Sequence, residues 1–284
     1  MERSSGRPEV LIGLIDGPVA ISHPDLNINN IREVSGSSPS ACSRASSAAC
    51  MHGTFVAGIL CARRGSAAPA IAPNCTLLVR PIFPESAANT NNGQMPSATP
   101  EELSRAIIET IDRGARVLNL SVALAQPSAK GGRDLEQALE YAARKGVLVV
   151  AAAGNQGTVG SSAITRHPWV LPVIACDQRG SPTRESNLSN SVGRRGLAAP
   201  GENITSLGAA GKPHSFGGTS AATPFVTGAI ALLWSELPAT SAAEVKLTIT
   251  RCGLQPRNSI VPPLLNAWAA YQTMASTHIG RKAS

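Results

Sequence analysis

The chain has 284 residues, of which 43% are hydrophobic and 15% charged; this excludes a disordered chain and suits one large α/β domain or two small ones, with a sizeable core. Aromatic residues make up only 3%, so Ala, Val, Ile and Leu have to build that core, as in a buried parallel sheet covered by helices. The net charge of +7 raises nucleic acid as a partner, but the basic runs are short, Arg63–Arg64 and Arg194–Arg195; with no aromatic interleaving and no RNA-binding or zinc-finger signature, solvated surface charge is the simpler reading and no nucleic-acid partner is expected.

In chain order, Met1–Pro8 is polar and shows no signal peptide. Val10–Ile15 is a continuous apolar run ending in Asp16, the pattern of a fully buried strand. Residues 35–50 are rich in Ser, Ala, Gly and Pro and read as a loop; Gly53–Ala62 has helical spacing; Thr76–Val79 reads as a strand closed by Arg80–Pro81. Pro84–Thr99 reads as a surface loop. Pro100–Glu101–Glu102 then opens a helix that stops near Gly114, with acidic residues at its positive end. Val117–Ser121, a helix over 134–144, and Val147–Ala152 follow. Farther on, helices are predicted over 219–236, 241–251 and 263–274, with a frayed polar tail over about 276–284. The alternation of strand and helix predicts a single α/β domain over 1–284, a mostly parallel central sheet with helices on both faces.

Six cysteines occur without a C-x-x-C pair, which argues against structural zinc. Cys61, Cys75 and Cys176 lie in apolar segments and read as inert buried thiols. Cys42 and Cys50 flank a loop and would form a local disulfide in an oxidising compartment, or stay reduced in a reducing one. The apolar runs are too short to span a bilayer, so no membrane partner is expected, and the chain reads as cytosolic or as a domain of something longer.

Three segments carry chemistry: Leu14-Ile15-Asp16-Gly17 at a strand end, His52-Gly53-Thr54-Phe55 at a helix, and Gly218-Thr219-Ser220-Ala221-Ala222-Thr223-Pro224 opening the long helix. A Ser hydroxyl needs a base within hydrogen-bond reach to act as a nucleophile. His52 can take that proton and return it to a leaving amine. Asp16 can hold the imidazole tautomer and stabilise the imidazolium. Taken singly, Asp16 could be a turn residue, His52 a helix cap and Ser220 an ordinary helix-start residue; the three together in the order Asp, His, Ser outweigh those readings. His23, His167 and His214 read as loop or structural histidines.

Over about Val10–Ala275 the sequence resembles the subtilisin-like (subtilase) family. Asp16-Gly17-Pro18-Val19, His23-Pro24-Asp25-Leu26, His167-Pro168-Trp169-Val170 and Ala221-Ala222-Thr223-Pro224-Phe225-Val226-Thr227-Gly228 are similar to the cyanobactin-maturation branch, the PatA/PatG-like peptidases, which process ribosomally made precursor peptides. The resemblance implies a three-layer subtilisin-like fold, serine endopeptidase chemistry on a peptide substrate, and Asn155 as an oxyanion donor. It implies that Ser121, Val122 and Ala123, with Ala152, Ala153, Gly154 and Thr219, line the substrate cleft as edges for an added strand. The glycine pair usual after the first edge's Ser is missing, so a small or restricted residue is expected before the scissile bond. Macrocyclising relatives carry a helical insertion between the Asp and His motifs; here residues 17–51 look like loop, which favours hydrolysis. A macrocyclase and a catalytically inactive peptide-binding module are the alternatives.

Departures from the family pattern are Gly17 after the Asp, where Ser or Thr is usual, Phe55 in place of a second His, and Phe225 after the Pro. The family's calcium loop corresponds to Arg63–Ala68, where two arginines and no carboxylate stand; no required metal or other cofactor is expected.

Overall fold

The computed structural model describes residues 3–36, 39–85, 98–122, 132–252 and 259–282. In chain order the elements are β1 (Leu11–Asp16), β2 (Ile31–Glu33), α1 (Ala48–Cys61), β3 (Thr76–Pro81), α2 (Pro100–Asp112), β4 (Val117–Leu120), α3 (Gly132–Lys145), β5 (Leu148–Ala152), α4 (Ala163–Arg166), β6 (Val170–Cys176), α5 (Asn190–Arg195), β7 (Leu197–Pro200), β8 (Ile204–Ser206), β9 (His214–Phe216), α6 (Thr219–Glu236), α7 (Ala242–Arg251) and α8 (Ala267–Lys282).

Seven strands form one sheet in the order β2-β3-β1-β4-β5-β6-β7, and every pairing in it is parallel. The three-layer architecture expected from the sequence is present. Side chains alternate across the sheet: Ile12, Leu14, Val117 and Val150 join a core shared with α1, α6 and α7, while Ile15, Leu118, Leu120 and Val149 join a second core under α2 and α3. Buried on both faces, these strands read as near-continuous apolar runs.

The strand order sets the place of the site. From β1 the chain first builds β3 and β2 on one side, then crosses to build β4 to β7 on the other. In open parallel sheets, ligands bind beyond the carboxyl ends of strands where the order reverses. Here that point is the end of β1 and β4. Ile15 stands opposite Leu120 in the register, so the next two residues, Asp16 and Ser121, are neighbours at the strand ends.

Several boundaries differ from the sequence reading for identifiable reasons. Helix α1 begins at Ala48, because the Ser47 side chain accepts the Cys50 N–H and caps it, so His52 lies inside the helix. The cap is joined to the Cys42–Cys50 disulfide, whose Cα atoms are 5.6 Å apart; the pairing that the sequence left open is made. Strand β3 continues through Arg80, whose guanidinium is fully buried because Glu102 (2.9 Å) and Glu109 (2.7 Å) of α2 accept its hydrogen bonds. Helix α8 starts later than expected and runs to Lys282, through most of the stretch read as a frayed tail; the hydroxyls of Ser276 and Thr277 bond the carbonyls of Gln272 and Thr273, so these polar residues are satisfied within the helix. Most of the loop expected at 84–99 lies outside the described residues. The three thiols read as buried, Cys61, Cys75 and Cys176, are buried.

Candidate active site

Asp16 ends β1 with its side chain fully buried, and His52, on α1, is 7% exposed. Asp16 Oδ1 and His52 Nδ1 are 2.6 Å apart. Burial pulls the His52 pKa down, but the Asp16 charge and the hydrogen bond together outweigh it and hold the imidazole above its ordinary value of 6.5. The Gly17 N–H also donates to Asp16 Oδ1 (2.6 Å), whereas Oδ2 is buried with no hydrogen-bond partner among the described residues. The missing hydroxyl after Asp16 therefore has a steric cause. A Cβ on Gly17 would run into the Ala49 carbonyl, and one on Gly53 would run into the Gly17 carbonyl. The two glycines let α1 lie against the end of β1, which brings His52 to Asp16.

The usual second His is replaced by Phe55, which is buried and packs edge-on against Phe216 (ring centroids 5.8 Å) and His214 (6.2 Å). Phe216 in turn meets the His52 ring edge-on at 5.7 Å. Phe55 thus supports a second aromatic ring on the flank of His52, a contact the motifs did not reveal.

Ser220 is the second residue of α6 and is 7% exposed. Gly218, at φ 101°, makes the turn into the helix. Asn155 follows β5, and its Oδ1 accepts both the Thr219 N–H (2.9 Å) and the Thr219 hydroxyl (3.0 Å). With the oxygen so held, the Asn155 NH₂ group is the end left to donate.

The expected cleft residues fall into three groups. Thr219 is fully buried, with its N–H and hydroxyl turned to Asn155 and its hydroxyl oxygen accepting the Gly154 N–H (3.2 Å). Ser121 is buried, its hydroxyl 3.0 Å from the Ser220 carbonyl, and Val122 packs into the core under α2 and α3. The N–H groups of Ala153 and Gly154 bond Val173 O (2.9 Å) and Thr219 Oγ1, and their carbonyls accept from Asn187. With Ala152 they can form a wall but not an edge for an added strand. Ala123 lies outside the described residues. His23 and His167 serve their own turns, each accepting a backbone N–H two residues on.

The residues at the expected calcium loop do not fit a hard cation. The Arg64 guanidinium donates to the carbonyls of Ser4 and Ile71, and a cavity of about 350 Å³ beside it is lined by Arg63, Arg64, Asn27 and Asn74 with no carboxylate. Among the described residues, the one group of three with metal-ligand potential is Cys42, Cys50 and Glu85, and its two sulfurs are bonded to each other.

An Asp–His pair lies at the switch point of the parallel sheet, and Ser220 opens helix α6, which packs against the helix that carries His52. Residues 7–257 match the subtilase family (Peptidase S8), and the chain belongs to it. Curated relatives include Subtilisin E of Bacillus subtilis (strain 168), 31% identical over 267 residues, 93% of this chain and 66% of the relative, and Subtilisin DY of Bacillus licheniformis, 32% identical over 272 residues, 93% of this chain and 91% of the relative. Among solved structures, an alanine variant of the protease domain of PatA is similar at TM-score 0.87 and 30% identity, covering 98% of this chain and 99% of that one. The prenylagaramide maturation protease PagA is similar at TM-score 0.80 and 27% identity, with 95% of each chain covered.

Proposed function

We propose that this chain is a serine endopeptidase in which Ser220 is the nucleophile, His52 the general base, Asp16 its orienting partner and Asn155 an oxyanion donor. The observation that carries the reading is the 2.6 Å contact between the buried Asp16 carboxylate and His52 Nδ1, which directs the other ring nitrogen outward as the base. Its substrate class is a ribosomal precursor peptide, cut by hydrolysis with a small residue before the scissile bond. The likeness to PatA and PagA, maturation proteases by name, supports this class. Hydrolysis rather than ring closure is favoured because, among the described residues between Asp16 and α1, the helical structure is limited to a three-residue turn, Ile28–Asn30. The cytosolic setting is likewise a proposal; the Cys42–Cys50 disulfide weighs against it, since such bonds persist in oxidising compartments. No helix among the described residues is long and apolar enough to cross a membrane.

The test is incubation of the chain with precursor peptides encoded by neighbouring genes, read by mass spectrometry. Linear products carrying one added water are expected. Products of the mass of a ring would replace hydrolysis with macrocyclisation, and intact peptides beside an unreactive Ser220 would favour the binding-module alternative.

A further inference from the structure

Helix α6 carries a proline at position 224, four residues after Ser220. In an α-helix the carbonyl of residue i accepts the N–H of residue i+4. Pro224 has none, so the helix cannot satisfy the Ser220 carbonyl. The Ser121 hydroxyl does so from the neighbouring strand end, at 3.0 Å. Ser121 Oγ in turn accepts from Asn119 Nδ2 (2.7 Å), and Asn119 Oδ1 lies 2.9 Å from the Thr227 hydroxyl on α6. Asn119 and Thr227 are fully buried and Ser121 is 5% exposed. This polar chain leaves α6 two turns below Ser220, passes through the end of β4 and returns to the peptide unit of Ser220 itself. An apolar strand has no packing reason to hold Asn119, and a buried amide persists only with its partners in place.

We propose that Ser121 is a positioning residue for Ser220: its hydroxyl replaces the hydrogen bond that Pro224 cannot make and fixes the plane of the Ser220 peptide unit, and with it the direction of Oγ. The proposal rests on Ser220 being the nucleophile. Loss of one hydrogen bond to a buried carbonyl corresponds to a rate loss of roughly tenfold or somewhat more. Because the Ser121 hydroxyl is engaged by Asn119 and the Ser220 carbonyl, the loss is expected on kcat and not on KM.

The experiment measures fluorophosphonate labelling rates, mapped by mass spectrometry, and peptide kcat and KM, for the wild type, Ser220→Ala, Ser121→Ala and the double variant Ser121→Ala/Pro224→Ala. In the double variant the restored N–H of residue 224 can bond the Ser220 carbonyl within the helix. Expected are labelling of the wild type at Ser220, roughly tenfold slower labelling and lower kcat in Ser121→Ala with KM little changed, and recovery of most of the rate in the double variant. Wild-type rates in Ser121→Ala, or a loss that the double variant leaves unrepaired, would overturn the positioning role. Absence of Ser220 labelling in the wild type would instead overturn the nucleophile assignment. Melting temperatures of all variants separate a folding loss from a loss of alignment.

Discussion

Thr219 holds Asn155 by two donors on one oxygen: its backbone N–H at 2.9 Å and its hydroxyl at 3.0 Å both reach Asn155 Oδ1. An asparagine beside a flexible turn would sample both amide orientations; the double contact selects the one with NH₂ free. Thr219→Val keeps the shape and the backbone contact but removes the hydroxyl, and is expected to lower kcat about threefold to tenfold with KM nearly constant. Asn155→Ala removes the donor itself and is expected to cost about 10²–10³ in kcat. Steady-state kinetics of the two variants on one peptide provide the check; comparable turnover in Asn155→Ala would remove it from the oxyanion site.

The pH profile follows from His52. The base works only when neutral, and the Asp16 carboxylate holds its pKa above 6.5, so kcat/KM should rise with pH through a value above 6.5. Stability runs the other way. A pKa raised on folding stabilises the fold fully below the unfolded value, and that contribution is lost as pH rises through the folded value. Asp16→Asn removes the charge, so the acid limb should shift to lower pH while kcat falls by about 10⁴-fold. An unmoved acid limb in Asp16→Asn would show that another group titrates.

Gly17 is shaped by α1 and not by the chemistry of Asp16. Restoring the hydroxyl usual in the family, Gly17→Ser, offers a donor to the buried Asp16 Oδ2 but drives its Cβ into the Ala49 carbonyl. The steric term should win, with a loss of roughly 1–3 kcal/mol and a lower melting temperature. A variant at least as stable as the wild type would mean that α1 can move away without cost.

Arg64, in the segment that the resemblance matches to the family's calcium loop, donates to the carbonyls of Ser4 and Ile71. The melting temperature should therefore be insensitive to chelator or added calcium, within about 1 °C. Arg64→Met should lower it by a few degrees, since about 1 kcal/mol shifts a domain of this size by roughly 2–4 °C. A substantial fall with chelator in the wild type would overturn this.

Much of the fold was legible because buried parallel strands and capped helices leave strong local signals. The runs ending at Asp16 and Ala152 and the Pro100–Glu102 helix start are examples, and helix α6 was read over the same residues, Thr219–Glu236, that the structure gives it. Two of the chemical segments were legible for the same reason, Asp16 ending β1 and Ser220 opening α6, whereas His52 lies inside α1 and stood out by its motif. The supporting residues were not. Ser121 and Thr219 read as cleft residues because the family resemblance assigns those stretches to the cleft, and only the fold shows that their hydroxyls turn inward. Phe216 was missed because the short antiparallel pair β8–β9 has no periodicity to mark it. A signal for the polar chain did exist in Asn119 within Val117-Leu118-Asn119-Leu120 and in threonines at 219, 223 and 227, one per turn along a buried helix face.

The most direct test of the central claim, an activated Ser220, is the rate of fluorophosphonate labelling with the modified residue located by mass spectrometry. Labelling at Ser220 that vanishes in Ser220→Ala and slows by orders of magnitude in His52→Ala is the expected result. Labelling that is absent, or equally fast without His52, would contradict it.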